Sequence, residues 1–231
     1  MTVFEQFAEQ AGLRSQGYWL VSTLLLAPPT SDLLADLQVA LRGAQDAASD
    51  QPAVLSDLSR AVKEAAEEPD AAAVGFTRYL VLVSKESGES FPFESHVREG
   101  RLPGQATEQV VSLLNAWGYA AVAPDAGPPD HLGAELRLLA LLCLDERQAW
   151  LDGQRSAAVT SLRRQRQFLS EHLADWAPAY CMGLAERAEN GYVKAIARIV
   201  AQTIRDDLAA LEEICFAVDA LPADADETAS A

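Results

Sequence analysis

The sequence predicts an all-α protein folded as a single-domain helical bundle, and three observations carry that prediction. Apolar residues recur at intervals of three and four over most of the 231 residues, strict alternation is scarce, and no repeat of fixed period points to a solenoid. A chain of this length, nearly half apolar and ordinary in its charged fraction, buries enough surface to build a real core.

In chain order, a first helix covers about 3–26, with a break or kink expected near Gly12 or Gly17. Pro28-Pro29 forbids its continuation, because proline lacks the amide donor and clashes with the preceding turn. Ser31-Asp32 opens a second helix to about Arg42, and GAQDAASDQPA at 43–53 reads as a polar loop. VLSDLSRAVKEAAEE (54–68) and AAAVGFTRYLVLVSK (71–85) give two more helices separated by Pro69-Asp70. YLVLVS within the second is read as helix, in phase with Val74 and Phe76.

From 86 to 103 the spacing turns non-helical, and a long ordered loop is expected, docked through Phe91 and Phe93. Helix resumes over 105–117 and stops at Gly118, and the linker 118–129 reads as a hinge that could let protomers exchange helices. Asp130 starts a long apolar helix to about Leu151, ended by Gly153, and two or three more helices run from 156 to about 220 with a break near Asn190-Gly191. The bundle is thus residues 1–220, followed by a flexible acidic tail over 221–231.

Charge and cysteine content exclude several classes of function. Thirty-four acidic residues against 18 basic ones leave a net charge of −16, which repels polyphosphate backbones and anionic membranes and suits a cationic ligand or basic peptide. Cys143, Cys181 and Cys215 are odd in number, far apart and set in apolar patterns, so they read as buried hydrophobes in a reducing compartment. The opening segment has no basic leader and YWLVSTLLLA (18–27) is too short to span a bilayer, so a cytoplasmic protein is expected.

The stretch PPDHLGAELRLLALL at 128–142 is the most informative. Asp130 reads as the N-cap of the apolar helix behind it or as half of a recognition pair with His131, whose pKa should fall at a helix N-terminus. His131 and Glu135 share a helical face and could bind a metal with His96 or His172, but no second local ligand pair exists, so no metal is expected. Nucleophile elbows and phosphate loops have no match. The run LRRQRQFL (162–169), with Arg163, Arg164 and Arg166, reads as a solvated helix face, and Trp19, Trp117, Trp150 and Trp176 as core.

Three blocks, in this order, resemble the TorD/DmsD/NarJ-type redox-enzyme maturation proteins, cytoplasmic chaperones of molybdenum oxidoreductases. GFTRYLVLV (75–83) runs into FPFESHV (91–97), GPPDHLGAEL (127–136) is similar to the family's E-P-x-D-H stretch, and FLSEHLADW (168–176) opens a segment similar to its terminal helices. Gly127 stands where the family pattern usually has glutamate, so that carboxylate's role is absent or passes to Glu94 or Asp125.

The resemblance implies a TorD-like fold and a client-binding site of Phe76, Tyr79, Leu80, Glu94, Ser95, Pro128, Asp130, His131 and Glu135. It implies a non-enzymatic chaperone that binds the catalytic subunit of a molybdenum oxidoreductase or its twin-arginine leader, helps cofactor insertion and prevents early export. No cofactor of its own is expected, since molybdopterin belongs to the client, although weak guanine-nucleotide binding is part of what the resemblance implies. Nucleic acid and stable membrane insertion are not expected, and the chain should be a monomer or a helix-swapped dimer. The alternative is a nucleotide-binding or hydrolytic enzyme using Asp130 and His131.

Overall fold

A computed structural model of the chain describes residues 1–47, 52–81, 91–120 and 122–222. Among these residues every regular element is helical, as the periodicity predicts.

Helix α1 (Val3–Leu26) opens on a capping box, in which Thr2 Oγ1 accepts from the Glu5 amide and Glu5 returns a bond to the Thr2 amide. It runs as one helix through Gly12 and Gly17, without the expected break. Gly12 is where α1 meets the Arg147 side chain: a β-carbon there would stand 3.0 Å from Arg147 Cδ, so this glycine allows a close approach. Helix α2 (Ser31–Ala47) passes the expected end at Arg42, and Leu34, Leu37 and Leu41 form its apolar stripe in the core. Of the predicted 43–53 loop, residues 48–51 lie outside the described residues.

Helix α3 (Ala53–Glu67) and helix α4 (Pro69–Phe76) meet at Pro69, which occupies the first turn of α4, where its missing amide costs nothing. A π-type turn carries the helix on through Thr77–Val81; 82–85 lie outside the described residues.

The expected loop over 86–103 needs correction. Residues 86–90 lie outside the described residues, 91–93 are extended, and Glu94–Glu99 form a short helix, α5, ended by Gly100 at φ +70°. The sequence hides α5 because its N-terminal cap comes from residue 130. Helix α6 (Gln105–Trp117) stops at Gly118, left-handed at φ +81°, and within 118–129, the segment expected to act as a hinge, Pro124–Ala126 form a 3-10 turn.

The central helix is α7 (Leu132–Leu151), apolar around most of its circumference and packed along α1 and against α8 (Arg155–Phe168). A second π-type turn, Leu169–Leu173, follows α8, then α9 (Ala177–Arg187) and the long α10 (Gly191–Asp219), capped by Asn190 Oδ1. Helix α10 packs on α9 and α3, closing the bundle. Of the predicted tail only residues 221 and 222 are described; the rest lies outside the described residues.

Two core assignments differ from expectation. Trp150 and Trp176 are buried, but Trp19 is 48 % exposed under the Arg137 guanidinium, 4.6 Å from its ring, and Trp117 is only half-buried. Cys143 and Cys181 are buried, Cys215 half-buried. The arginine run has an exposed Arg163, with Arg164 over the Trp117 ring and Phe168 and Leu169 in the core. No described helix is long and apolar enough to cross a membrane.

Candidate functional site

The extended residues 91–93 lie against the turn before α7. The Glu94 amide donates to the Asp130 carbonyl at 2.9 Å and the Leu132 amide to the Pro92 carbonyl at 2.7 Å, pairing Phe93 with His131 in one antiparallel bridge. The pairing buries Phe91 and Phe93, as the docked-loop reading expects, and sets Phe93 edge-on to the His131 ring at 4.9 Å.

Asp130 is not the cap of its own helix. His131 is: its Nδ1 accepts from the Gly133 amide at 3.0 Å. Asp130 instead turns Oδ2 toward α5 and accepts from the Ser95 amide at 3.0 Å, so it satisfies an orphan donor of a helix thirty-five residues earlier in the chain. With Nδ1 accepting, His131 carries its proton on Nε2, and burial pulls its pKa down to about 4 against the opposing charge of Asp130. The neutral ring foreseen from the helix dipole is there, but burial is what produces it.

Helix α5 then delivers Glu94 inward. Its Oε1 accepts from Arg98 at 2.5 Å, one helical turn on, and its Oε2 faces His172 Nδ1 at 2.8 Å. His172 sits in the π-type turn after α8, with Phe168 stacked on its ring and its carbonyl accepting from the Trp176 indole. Ser95, also buried, accepts from Thr107 Oγ1 and ties α5 to α6.

Glu135, in the first turn of α7, completes the group. It is 1 % exposed, neither carboxylate oxygen has a donor, and Asp130 Oδ1 is likewise buried without a partner. Burial raises the Glu135 pKa well above the carboxylate range, and the neighbouring Glu94 and then Asp130 raise it further, against Arg98. Kept protonated, Glu135 has a hydrogen to give Glu94; ionised, it is a third negative charge without a counter-ion. Ligand atoms of Glu94, Glu135 and His172 lie within 4.8 Å of one another.

The site predicted from the sequence is therefore gathered in part. Glu94, Ser95, Asp130, His131 and Glu135 come together, joined by Arg98 and His172. Phe76, Tyr79 and Leu80 are core residues of α4 and its π-type turn, where the Tyr79 hydroxyl accepts from the Glu189 amide before α10. Of the nine residues only Pro128 is not buried. Asp130 and His131 thus present no open acid–base pair: each is buried, with Asp130 Oδ2 and His131 Nδ1 committed to the Ser95 and Gly133 amides. Asp125 is exposed, so among the candidates to replace the carboxylate missing at Gly127 only Glu94 is in the cluster. Gly127 itself lies at φ +85°, a conformation poorly suited to the family's glutamate.

The surface beside this buried cluster is apolar. A cavity of about 270 Å³ lies between α6 and the turn into α7, lined by Val111, Leu114, Tyr119, Val122, Pro129 and Ala134 among others. Val111 is 42 % exposed at its rim.

Comparison with known proteins places these features in context. Residues 43–182 match the nitrate reductase delta subunit family. The chain is 27 % identical over 208 residues to "Chaperone protein TorD" of Vibrio cholerae, covering 87 % of this chain and 93 % of that protein. It is 42 % identical over 66 residues to the "Selenate reductase assembly chaperone protein" of Thauera selenatis, covering 29 % of this chain and 33 % of that protein.

Proposed function

Because the chain belongs to the nitrate reductase delta subunit family, we propose that it is a maturation chaperone that holds the catalytic subunit of a molybdenum oxidoreductase during assembly and itself catalyses no reaction. The observation that carries this reading is its alignment with a protein named as a chaperone over most of both chains. The reading places the protein in the cytoplasm, where the client would be held unexported until its molybdopterin is inserted.

The mechanism follows from the apolar cavity and the charge around it. An amphipathic segment of the client, its leader or a helix of its folding core, lays its apolar side along Val111, Leu114 and Ala134, while basic residues beside it meet a protein of net charge −16. Asp130 and His131 act from behind the cavity: they hold α5 against the start of α7 and so give the cavity one shape.

Co-purification tests this with a client catalytic subunit, with and without its leader. Val111→Glu puts a charge at the exposed rim and should leave the fold intact while cutting capture at least about tenfold, equivalent to about 1.4 kcal/mol. Capture equal to that of the unaltered chain removes the cavity from the mechanism; failure of the unaltered chain to hold any molybdenum oxidoreductase subunit removes the chaperone reading.

A further inference from the structure

The chaperone reading leaves Glu135 unexplained. A helix–helix junction gains nothing from a carboxylate whose two oxygens are buried and unpartnered, since any apolar side chain of that volume would be less costly there. The neighbourhood makes the cost larger. Glu94, Asp130 and Glu135 are three carboxylates, all at most 1 % exposed, and Arg98 is bonded to Glu94 but not to the other two. That arrangement leaves negative charge that a positive ligand would balance.

We propose that Glu94, Glu135 and His172 form a binding site for a divalent transition-metal ion that clasps α5, α7 and the turn after α8 together. Three facts favour a metal. The donors are two carboxylates and one imidazole nitrogen from three separate elements, they are convergent within 4.8 Å, and Asp130 adds a further unpartnered buried oxygen, Oδ1, whose charge is felt at Glu135. Ligands at about 2.1 Å around a tetrahedral ion stand about 3.5 Å apart. The present separations lie on either side of that value: Glu94 Oε2 and His172 Nδ1 are 2.8 Å apart, and the three donors fall within 4.8 Å of one another.

The donor set selects the metal class. With no thiolate in the group, copper(I) and iron–sulfur chemistry are disfavoured, and mixed carboxylate and imidazole ligation suits zinc, iron(II), manganese or cobalt. Three protein ligands leave a fourth position for water. The Arg98 bond to Glu94 Oε1 fixes the orientation of that carboxylate, as supporting bonds do at metal sites. The ion is a clasp and no reaction is assigned to it. The inference stands apart from the client, and its test needs none.

Full-length protein stripped with a chelator is titrated with cobalt(II), then with zinc(II). One equivalent of cobalt should bind, giving visible bands without a thiolate charge-transfer band, and zinc should displace it and raise the Tm. Glu135→Gln, which keeps shape and removes charge, and His172→Gln should each weaken binding by more than the roughly 10–100-fold lost with a supporting residue. His96→Ala, at a half-buried histidine outside the group, should bind as the unaltered chain does. Retained binding in both Gln variants, a thiolate band assigning the ion to Cys215, or a Kd for the unaltered chain no better than about 1 mM overturns the proposal. In that case Glu135 holds a proton.

Discussion

Two groups of buried charge in this protein are built to opposite rules. Around Arg14 on α1, every inward polar atom is answered. Arg14 binds Asp207 with Nε at 2.6 Å, Glu146 with Nη1 at 3.3 Å and Gln165 with Nη2 at 2.5 Å. Tyr18 and Trp150 donate to Asp207 and Glu146, and Gln165 bridges Glu146 to the Leu142 carbonyl. Around Glu94 the group is left open, with Asp130 Oδ1 and both Glu135 oxygens unanswered.

The two glutamates on α7 show what this difference means. Burial raises the pKa of both, but for Glu146 the charge of Arg14 and bonds from Gln165 and Trp150 oppose the rise, whereas for Glu135 the neighbouring Glu94 and Asp130 add to it. This closed network joins α1, α7, α8 and α10. An open one carries a standing cost that stability alone does not explain, and that marks it as the place to look for a ligand.

Breaking the closed network should give the largest effect. Arg14→Met strands Asp207 and Glu146 without their cation and should cost about 3–5 kcal/mol of unfolding free energy by urea titration. A loss below about 1 kcal/mol would mean that the carboxylates find water, and that the network is not closed as described.

A middle-sized effect is expected from Asp130→Ala. Losing the bond to the Ser95 amide should cost about 0.5–2 kcal/mol, and hydrogen exchange should quicken at residues 95–97 while the first turn of α7, capped by His131, keeps its protection. Faster exchange in α7 instead would return Asp130 to the role of cap for its own helix.

The smallest effect sharpens the contrast most. In chelator-treated protein Glu135→Gln should leave stability unchanged or raise it by about 1 kcal/mol, because it removes an unpartnered buried carboxylate. The same change at Glu146 should lower stability, since Arg14 loses one of its two anions. Equal losses at both positions would erase the distinction between the two groups.

The helical segments were legible because a three-and-four apolar spacing is a local property. Leu34, Leu37 and Leu41 on α2, the stop at Gly118 and the restart at Asn190 all depend on residues within a turn or two of one another. Helix α5 is hidden in the sequence for the converse reason: Glu94–Glu99 is short, lacks a local N-terminal cap and relies on a carboxylate thirty-five positions away. The pair Glu94 and Arg98, four apart, and Gly100 behind them are its local signs.

The sequence by itself determined the all-helical class and most helix ends, each through spacing, caps and breakers acting over a few residues. Only the tertiary structure decided that His131 caps α7 while Asp130 caps α5, that Glu94 meets His172 and Glu135, and that Arg14 closes a network with Asp207. The physical reason is that burial and pairing of charge are set by which helices lie side by side, and groups as far apart as residues 14 and 207 meet only after the bundle has formed.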